Sequence, residues 1–208
     1  MRTGNKMPYI YWLGGSTCAG KTTISNILSE TYGIMVYHCD KYLGEHIEKS
    51  NVQESPNLNQ VTKMGWNDIL SMQVDEYLNW TISLFSEEFD MILEDLDKLF
   101  DGKPILVEGV DLLPGLIKNE MIDNHALWLV AEEAFYKEHQ MQREELFDRL
   151  KECSDPEQAL HNYMSYDLAF GKYVENDAKR LGLKVMTAEK DRDIMKNVEA
   201  IASYFKLA

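Results

Sequence analysis

Gly15-Ser16-Thr17-Cys18-Ala19-Gly20-Lys21-Thr22 fits the pattern GxxxxGK[ST] in full, and it lies between an apolar, β-prone run and a run of helical spacing. Glycines let the backbone curl so that successive N–H groups surround phosphate oxygens at a helix N-terminus. Lys21 then reaches the β- and γ-phosphates of a nucleotide, and the Thr22 hydroxyl ligates Mg²⁺. With Thr23 in the same turn, Gly15 to Thr23 is the candidate nucleotide-binding segment. The alternative is a glycine-rich turn that merely connects strand to helix.

The elements follow outward from that stretch. Tyr9 to Leu13 reads as a buried strand. Ile24, Ile27 and Leu28 give the following helix, stopped by Gly33. Residues 34–39 read as a second strand ending at Asp40. Residues 44–66 carry no clear period and contain a turn at Ser55-Pro56-Asn57. From Trp66 to Phe100 the pattern is helical, as more than one helix. In its last part Phe89, Ile92, Leu93, Leu96 and Leu99 form an apolar stripe, with Asp90, Glu94 and Asp97 opposite. Ile105 to Val107, followed by Glu108-Gly109, is a third strand, and Ala126 to Val130 a fourth. A helical segment Glu132 to Lys151, a break at Ser154-Asp155-Pro156, a second helix to Gly182, a fifth strand Leu183 to Met186 and a closing helix over Ile194 to Phe205 complete the chain. Five strands separated by helices predict a parallel sheet covered on both faces. No linker or repeat divides the 208 residues, which suit one α/β domain.

Charge narrows the partners. Lys and Arg number 21 against 35 Asp and Glu, a formal net charge of −14. Nucleic-acid binding by counterion release needs a basic stripe, and an anionic membrane needs a polybasic patch; neither is present, so no nucleic-acid or membrane partner is expected. Phosphate must be held locally, against the global field. Cys18, Cys39 and Cys153 have no ligand-like spacing. Arg2 and Lys6 precede an apolar run too short for a signal peptide, so a cytoplasmic protein is the default expectation. Oligomeric state is unreadable, with a homodimer kept as an option.

There is no DxxG after the third strand, no NKxD after the fourth and no LSGGQ-like segment, which disfavours GTPases of the Ras type and transporter ATPases. The remaining pieces are Gly15 to Thr22, the strand end Val36-Tyr37-His38-Cys39-Asp40, the strand Ile105 to Gly109, and Arg143 with Arg149. In these the chain resembles the P-loop nucleoside, nucleotide and small-molecule kinases, a group that includes uridine kinase-like, adenylate kinase-like and chloramphenicol phosphotransferase-like enzymes. The resemblance implies a three-layer α/β/α fold with a five-stranded parallel sheet in order 2-3-1-4-5 and ATP with Mg²⁺. It also implies one kinase domain over 1–208 with an acceptor region at about 41–85 and an arginine-bearing helical lid at about 135–156.

Within that frame Lys21, Asp40 and Arg143 are the candidate catalytic residues. Asp40 stands where many such kinases place an acid that orients the acceptor hydroxyl and takes its proton; the bland reading is a helix N-cap or turn aspartate. Glu108 stands where a Walker B-like acid holds Mg²⁺ together with Thr22. Asp111 could contact substrate, but reads more simply as a cap for the next segment. On an unbroken helix Arg143 shares a face with Leu146, Phe147 and Leu150 and points inward, toward a nucleotide phosphate. Arg149 shares a face with Glu145, which could simply pair with it, though it too is a candidate for the nucleotide.

The acidic run Glu87 to Asp97 reads as a solvated helix face. Tyr37, Tyr42, Trp66, Tyr77 and Trp80 are each core residues or stacking partners for an acceptor. The five arginines are Arg2, Arg143, Arg149, Arg180 and Arg192, and none falls in the acceptor region, which favours an uncharged or cationic acceptor hydroxyl over a phosphorylated one. Lys41, Lys49 and Lys63 keep a nucleoside-monophosphate kinase open. A nucleotide-gated binding protein without an acceptor is the other alternative.

Overall fold

The computed structural model describes residues 9–122, 125–189 and 193–207; Arg2, Lys6 and Arg192 lie outside the described residues. Five strands, β1 (Ile10–Gly15), β2 (Met35–His38), β3 (Ile105–Glu108), β4 (Ala126–Ala131) and β5 (Lys184–Ala188), form one sheet in the order β2-β3-β1-β4-β5. Every pairing is parallel. The helices are α1 (Lys21–Tyr32), α2 (Cys39–Lys49), α3 (Pro56–Gln60), α4 (Trp66–Leu70), α5 (Val74–Leu99), α6 (Pro114–Glu120), α7 (Glu133–Gln140), α8 (Glu144–Lys151), α9 (Pro156–Arg180) and α10 (Ile194–Phe205). None of the described helices is long and apolar enough to cross a membrane.

The two-residue period of the strands builds two cores. Trp12, Val107 and Trp128 face one side, where Phe85, Ile92 and Leu96 of α5 and Phe170 and Val174 of α9 cover them. Leu13, Leu106, Leu127 and Leu129 face the other, under Ile24 and Leu28 of α1 and Val198, Ile201 and Phe205 of α10. This is the three-layer α/β/α arrangement with the sheet order that the P-loop kinase resemblance implies.

Two stretches depart from the sequence reading. Residues 44–66 are largely ordered in short helices: α2 runs to Lys49, α3 follows, and Val61–Lys63 makes a 3₁₀ turn. Glu87 caps α3 from a distance, its carboxylate accepting from the Leu58 backbone N–H at 2.9 Å and from the Asn57 side chain at 2.5 Å, a long-range stabilisation that local periodicity does not report. The segment 132–151 is two helices, not one. Lys137 and His139 sit in the last turn of α7, and Glu144 and Glu145 in the first turn of α8, so charges of the right sign favour an end and a new start between them.

The glycine-rich loop is held at every side. Gly15 has φ +137° and Gly20 φ +86°, and a Cβ on Gly15 would collide with the Leu129 carbonyl of β4. Ser16 accepts from the Ala131 N–H through its hydroxyl at 2.8 Å, Thr17 donates to Asp167 of α9 at 3.2 Å, and the Cys18 thiol donates to Gln140 of α7 at 3.0 Å. Helix α9 approaches closely because Gly171 lacks a side chain; a Cβ there would lie 3.2 Å from Ser16 Cβ.

Asp167 is 5% exposed and accepts a second bond, 2.8 Å long, from the Tyr136 hydroxyl. Burial pushes its pKa up to about 6, against the pull of the Tyr136 and Thr17 hydroxyls and the charges of Arg143 and Arg149. A folded-state value above the unfolded one means the native protein holds this proton more tightly, so the stability it lends is complete below about pH 4 and lost as pH rises through 6.

Two outcomes follow for stability. Gly15→Ala should cost about 3 kcal/mol or more, or prevent folding, as read by thermal melting. Asp167→Asn should flatten the fall in Tm between pH 5 and 7.5, the gap from wild type growing to about 3 kcal/mol at most; parallel Tm curves for the two proteins would contradict it.

Candidate active site

Lys21 opens α1 and is 7% exposed, its Nζ donating to the Ser16 carbonyl at 2.8 Å. Burial lowers its pKa, while the charges of Glu108 and Asp111 pull it back up. The lysine is thus folded across the loop rather than out into solvent. Among the described residues the backbone N–H groups of Thr17 to Thr23 make no hydrogen bond. Left-handed Cys18 (φ +58°) and Gly20 turn this run of donors at the positive end of α1, which is the arrangement an oxyanion of a phosphate chain fits.

Glu108 ends β3 at 2% exposure. In register it pairs with Leu13 of β1 and His38 of β2. Its Oε1 accepts from the Thr22 hydroxyl at 3.1 Å and lies 2.6 Å from His38 Nδ1. A carboxylate oxygen only accepts, so Nδ1 carries the proton. Thr22 and Glu108, the two predicted metal residues, are therefore brought together, and their oxygens suit a hard cation such as Mg²⁺. His38 was missed in the sequence reading; its signal was its place as the last residue of a strand neighbouring the one that ends in Glu108.

Asp40 is exposed in the first turn of α2. The N-cap of α2 is His38 and no side chain caps it, so Asp40 does not serve as the cap that the bland reading gave it. Its charge is felt at two buried neighbours, Asp111 and Cys39.

For Asp111 the cap reading does not hold. It caps no helix, since the N-cap of α6 is Leu113. It is 1% exposed, with Oδ2 unpartnered among the described residues. Its pKa is raised, by burial first and the Glu88 charge next. Gly109 makes room for it, because a Cβ there would lie 2.6 Å from Asp111 Oδ2 and 2.8 Å from Cys39 Cβ. Burial pushes the Cys39 thiol well up, and Asp111, Glu88, Glu108 and Asp40 all add to that. Four carboxylates therefore surround the start of α2.

The acidic run of α5 is only partly a solvated face. Asp90, Glu94 and Asp97 are exposed, but Glu88 is 0% exposed and Asp95 half-buried. Both turn toward His46 of α2, whose Nδ1 lies 2.9 Å from Glu88 Oε1 and whose Nε2 lies 3.0 Å from Asp95 Oδ2. Burial lowers the His46 pKa, but the bonds to Glu88 and Asp95 outweigh it and leave it raised. With both ring nitrogens facing carboxylates, His46 is an imidazolium. The Tyr37 hydroxyl adds a 3.3 Å bond to Asp95. The signal in the sequence was phase: Glu88 lies three residues after Phe85 and four before Ile92, on the buried side.

Arg143 is not on an inward helix face. It is the exposed N-cap of α8, because the helix it was assigned to breaks at Met141–Arg143. It nevertheless stands by the loop, where its positive charge opposes the rise that burial imposes on the Cys18 thiol pKa, with Glu145 3.9 Å away. Arg149 does not pair with Glu145; its guanidinium lies 4.3 Å from the centre of the Trp66 ring. Asn67, next to Trp66, accepts from the Ser154 backbone N–H at 2.8 Å and its hydroxyl at 3.0 Å. Of the other aromatics, Tyr37 stacks on Tyr42 at 4.4 Å and Tyr77 on Tyr166 at 3.7 Å, while Trp80 packs against the core.

No family model matches the chain, and no curated protein matches it significantly. Among solved structures it is similar to an uncharacterized protein from Eubacterium ventriosum, at 15% identity over 97% of this chain and 100% of that one, with a TM-score of 0.50. A deoxyadenosine kinase from M. mycoides with bound dATP has 15% identity over 95% and 99% of the two chains and a TM-score of 0.47. A gluconokinase from Sinorhizobium meliloti has 10% identity over 97% and 94% and a TM-score of 0.43. At these identities the likeness is one of fold alone.

Proposed function

We propose that the protein is an ATP-dependent phosphotransferase acting on a hydroxyl of a small molecule such as a nucleoside, sugar or antibiotic. Its single kinase domain would comprise an acceptor region at about 41–85 and a lid at about 135–156. The observation that supports it most is the meeting of Thr22 and Glu108 beside the buried Lys21, at the mouth of a loop whose N–H groups are unengaged. A connecting turn has no use for a buried lysine and a buried glutamate at one point.

In this reading the loop from Gly15 to Thr23 binds the triphosphate. Thr22 and Glu108 would hold Mg²⁺, which when bound offsets phosphate charge. Lys21 neutralises charge as it builds on the transferring group, and Arg143, with Arg149 behind it, covers the phosphates from the lid. The acceptor oxygen forms its bond to the γ-phosphorus as the bond from that phosphorus to the bridging oxygen breaks; ADP leaves, and Asp40 takes the hydroxyl proton. Catalysis is then positioning plus electrostatics.

A phosphoryl-transfer screen over nucleosides, nucleotides, sugars and aminoglycoside-like alcohols tests this. Lys21→Ala should lower transfer by about 100-fold or more; transfer at full rate would overturn the reading. Asp40→Asn should lose about 100-fold in turnover while ATP still raises the Tm. Unchanged turnover, or none in the wild type, would point to a nucleotide-gated binding protein.

A further inference from the structure

A glutamate side chain turns about several bonds, so its carboxylate keeps one direction only where donors fix it. At Glu108 two donors do so, and both reach the same oxygen. Oε1 lies 2.6 Å from His38 Nδ1 and accepts from the Thr22 hydroxyl at 3.1 Å. Among the described residues no donor engages Oε2. The contact to His38 is the shorter of the two, and a bond donated to a carboxylate is of the stronger kind.

His38 is well placed to hold that direction. It is the last residue of β2 and the N-cap of α2, so a strand and a helix fix its backbone from both sides. Its neighbours Tyr37 and Cys39 are buried, as is His38 itself. Strand pairing does not need the side-chain contact, because β2 and β3 already pair in parallel from Met35 to His38. Lys21 does not replace it, since its Nζ is turned to the Ser16 carbonyl. What the His38 bond adds is the direction of the Glu108 carboxylate. Thr22 gives its proton to the anchored oxygen and keeps its lone pairs, so the Thr22 oxygen and Glu108 Oε2 are left together for a hard cation.

We propose that His38 is a positioning residue, whose bond to Oε1 fixes the Glu108 carboxylate so that Glu108 and Thr22 can hold Mg²⁺ beside a bound nucleotide. This rests on the part of the phosphotransferase reading that places nucleotide and Mg²⁺ at the loop, and it holds whatever the acceptor is. His38 acts through Glu108 and takes no part in the bonds made and broken at phosphorus. Loss of such a partner to a ligating carboxylate commonly costs about 10- to 100-fold in metal affinity.

Calorimetric titration of ADP, with Mg²⁺ and with EDTA in its place, reads the factor by which Mg²⁺ tightens nucleotide binding. In His38→Leu, which removes the donor, that factor should fall about tenfold while the affinity in EDTA is unchanged. His38→Asn should retain the factor, because its side-chain N–H is joined to Cγ as Nδ1 is. A purely structural role would weaken ADP equally with and without Mg²⁺, leaving the factor unchanged in His38→Leu, and that result overturns the proposal. So does a factor lost equally in both variants, or a wild type in which Mg²⁺ does not tighten ADP. Should His38→Leu not fold, proton magnetic resonance of the wild type decides. With ADP bound, the downfield Nδ1–H signal that His38→Asn lacks should move when Mg²⁺ is added, and a signal left in place overturns the role. The transfer screen judges the phosphotransferase reading separately. Absent transfer with a His38-dependent factor removes that reading and leaves the positioning role standing; transfer with a His38-independent factor does the reverse, and a protein that binds no ADP removes both.

Discussion

Glu108 is a carboxylate sealed at the end of an inner strand, and a charge in that position must be met by donors from whatever surrounds it. The Thr22 hydroxyl comes from α1 and the His38 imidazole from β2, so one side chain ties three consecutive βα connections together at the C-terminal edge of the sheet. The parallel register makes this possible, because His38, Glu108 and Leu13 stand level with one another. Shifting β2 by one residue would turn His38 to the opposite face and leave Glu108 short of a donor. The loop geometry depends on the same edge, since Gly15 can pass Leu129 only without a side chain.

The fold was legible because its signals are local. The loop from Gly15 to Thr22, the short apolar runs and their glycine stops fix strands and helices within a few residues, and alternating βα units leave few topologies. The site was legible where a motif carries it, at Lys21, Thr22 and Glu108. It was not legible where a partner lies far off in sequence: Glu88 and His46 are 42 residues apart, and an acid in an acidic run looks solvated until the histidine opposite it is known. Arg143 was misplaced for another reason. Its inward direction was deduced from an unbroken helix, and the acidic start of α8 at Glu144 and Glu145 breaks it, so the angle counted from residue spacing no longer applied.

Opposite charges occupy opposite flanks of the loop. Arg143 and Arg149 stand on the side of α7, α8 and α9, whereas Asp40, Glu88, Glu108 and Asp111 ring the start of α2. Lys21 lies between them, drawn toward Glu108 and Asp111 and repelled by Arg143. The net charge of −14 is therefore organised locally, with guanidiniums and unengaged backbone donors toward one flank of the loop and carboxylates toward the other.

The stack of Arg149 on Trp66 and the bonds from Ser154 to Asn67 join α8 and the turn after it to α4. The guanidinium–indole contact is worth about 0.5–1 kcal/mol. Two surface segments that would otherwise swing independently thus share an energetic cost of separation, so the opening of one raises the chance that the other opens. Linkage of this kind makes separation of α8 from α4 a concerted event rather than two separate ones.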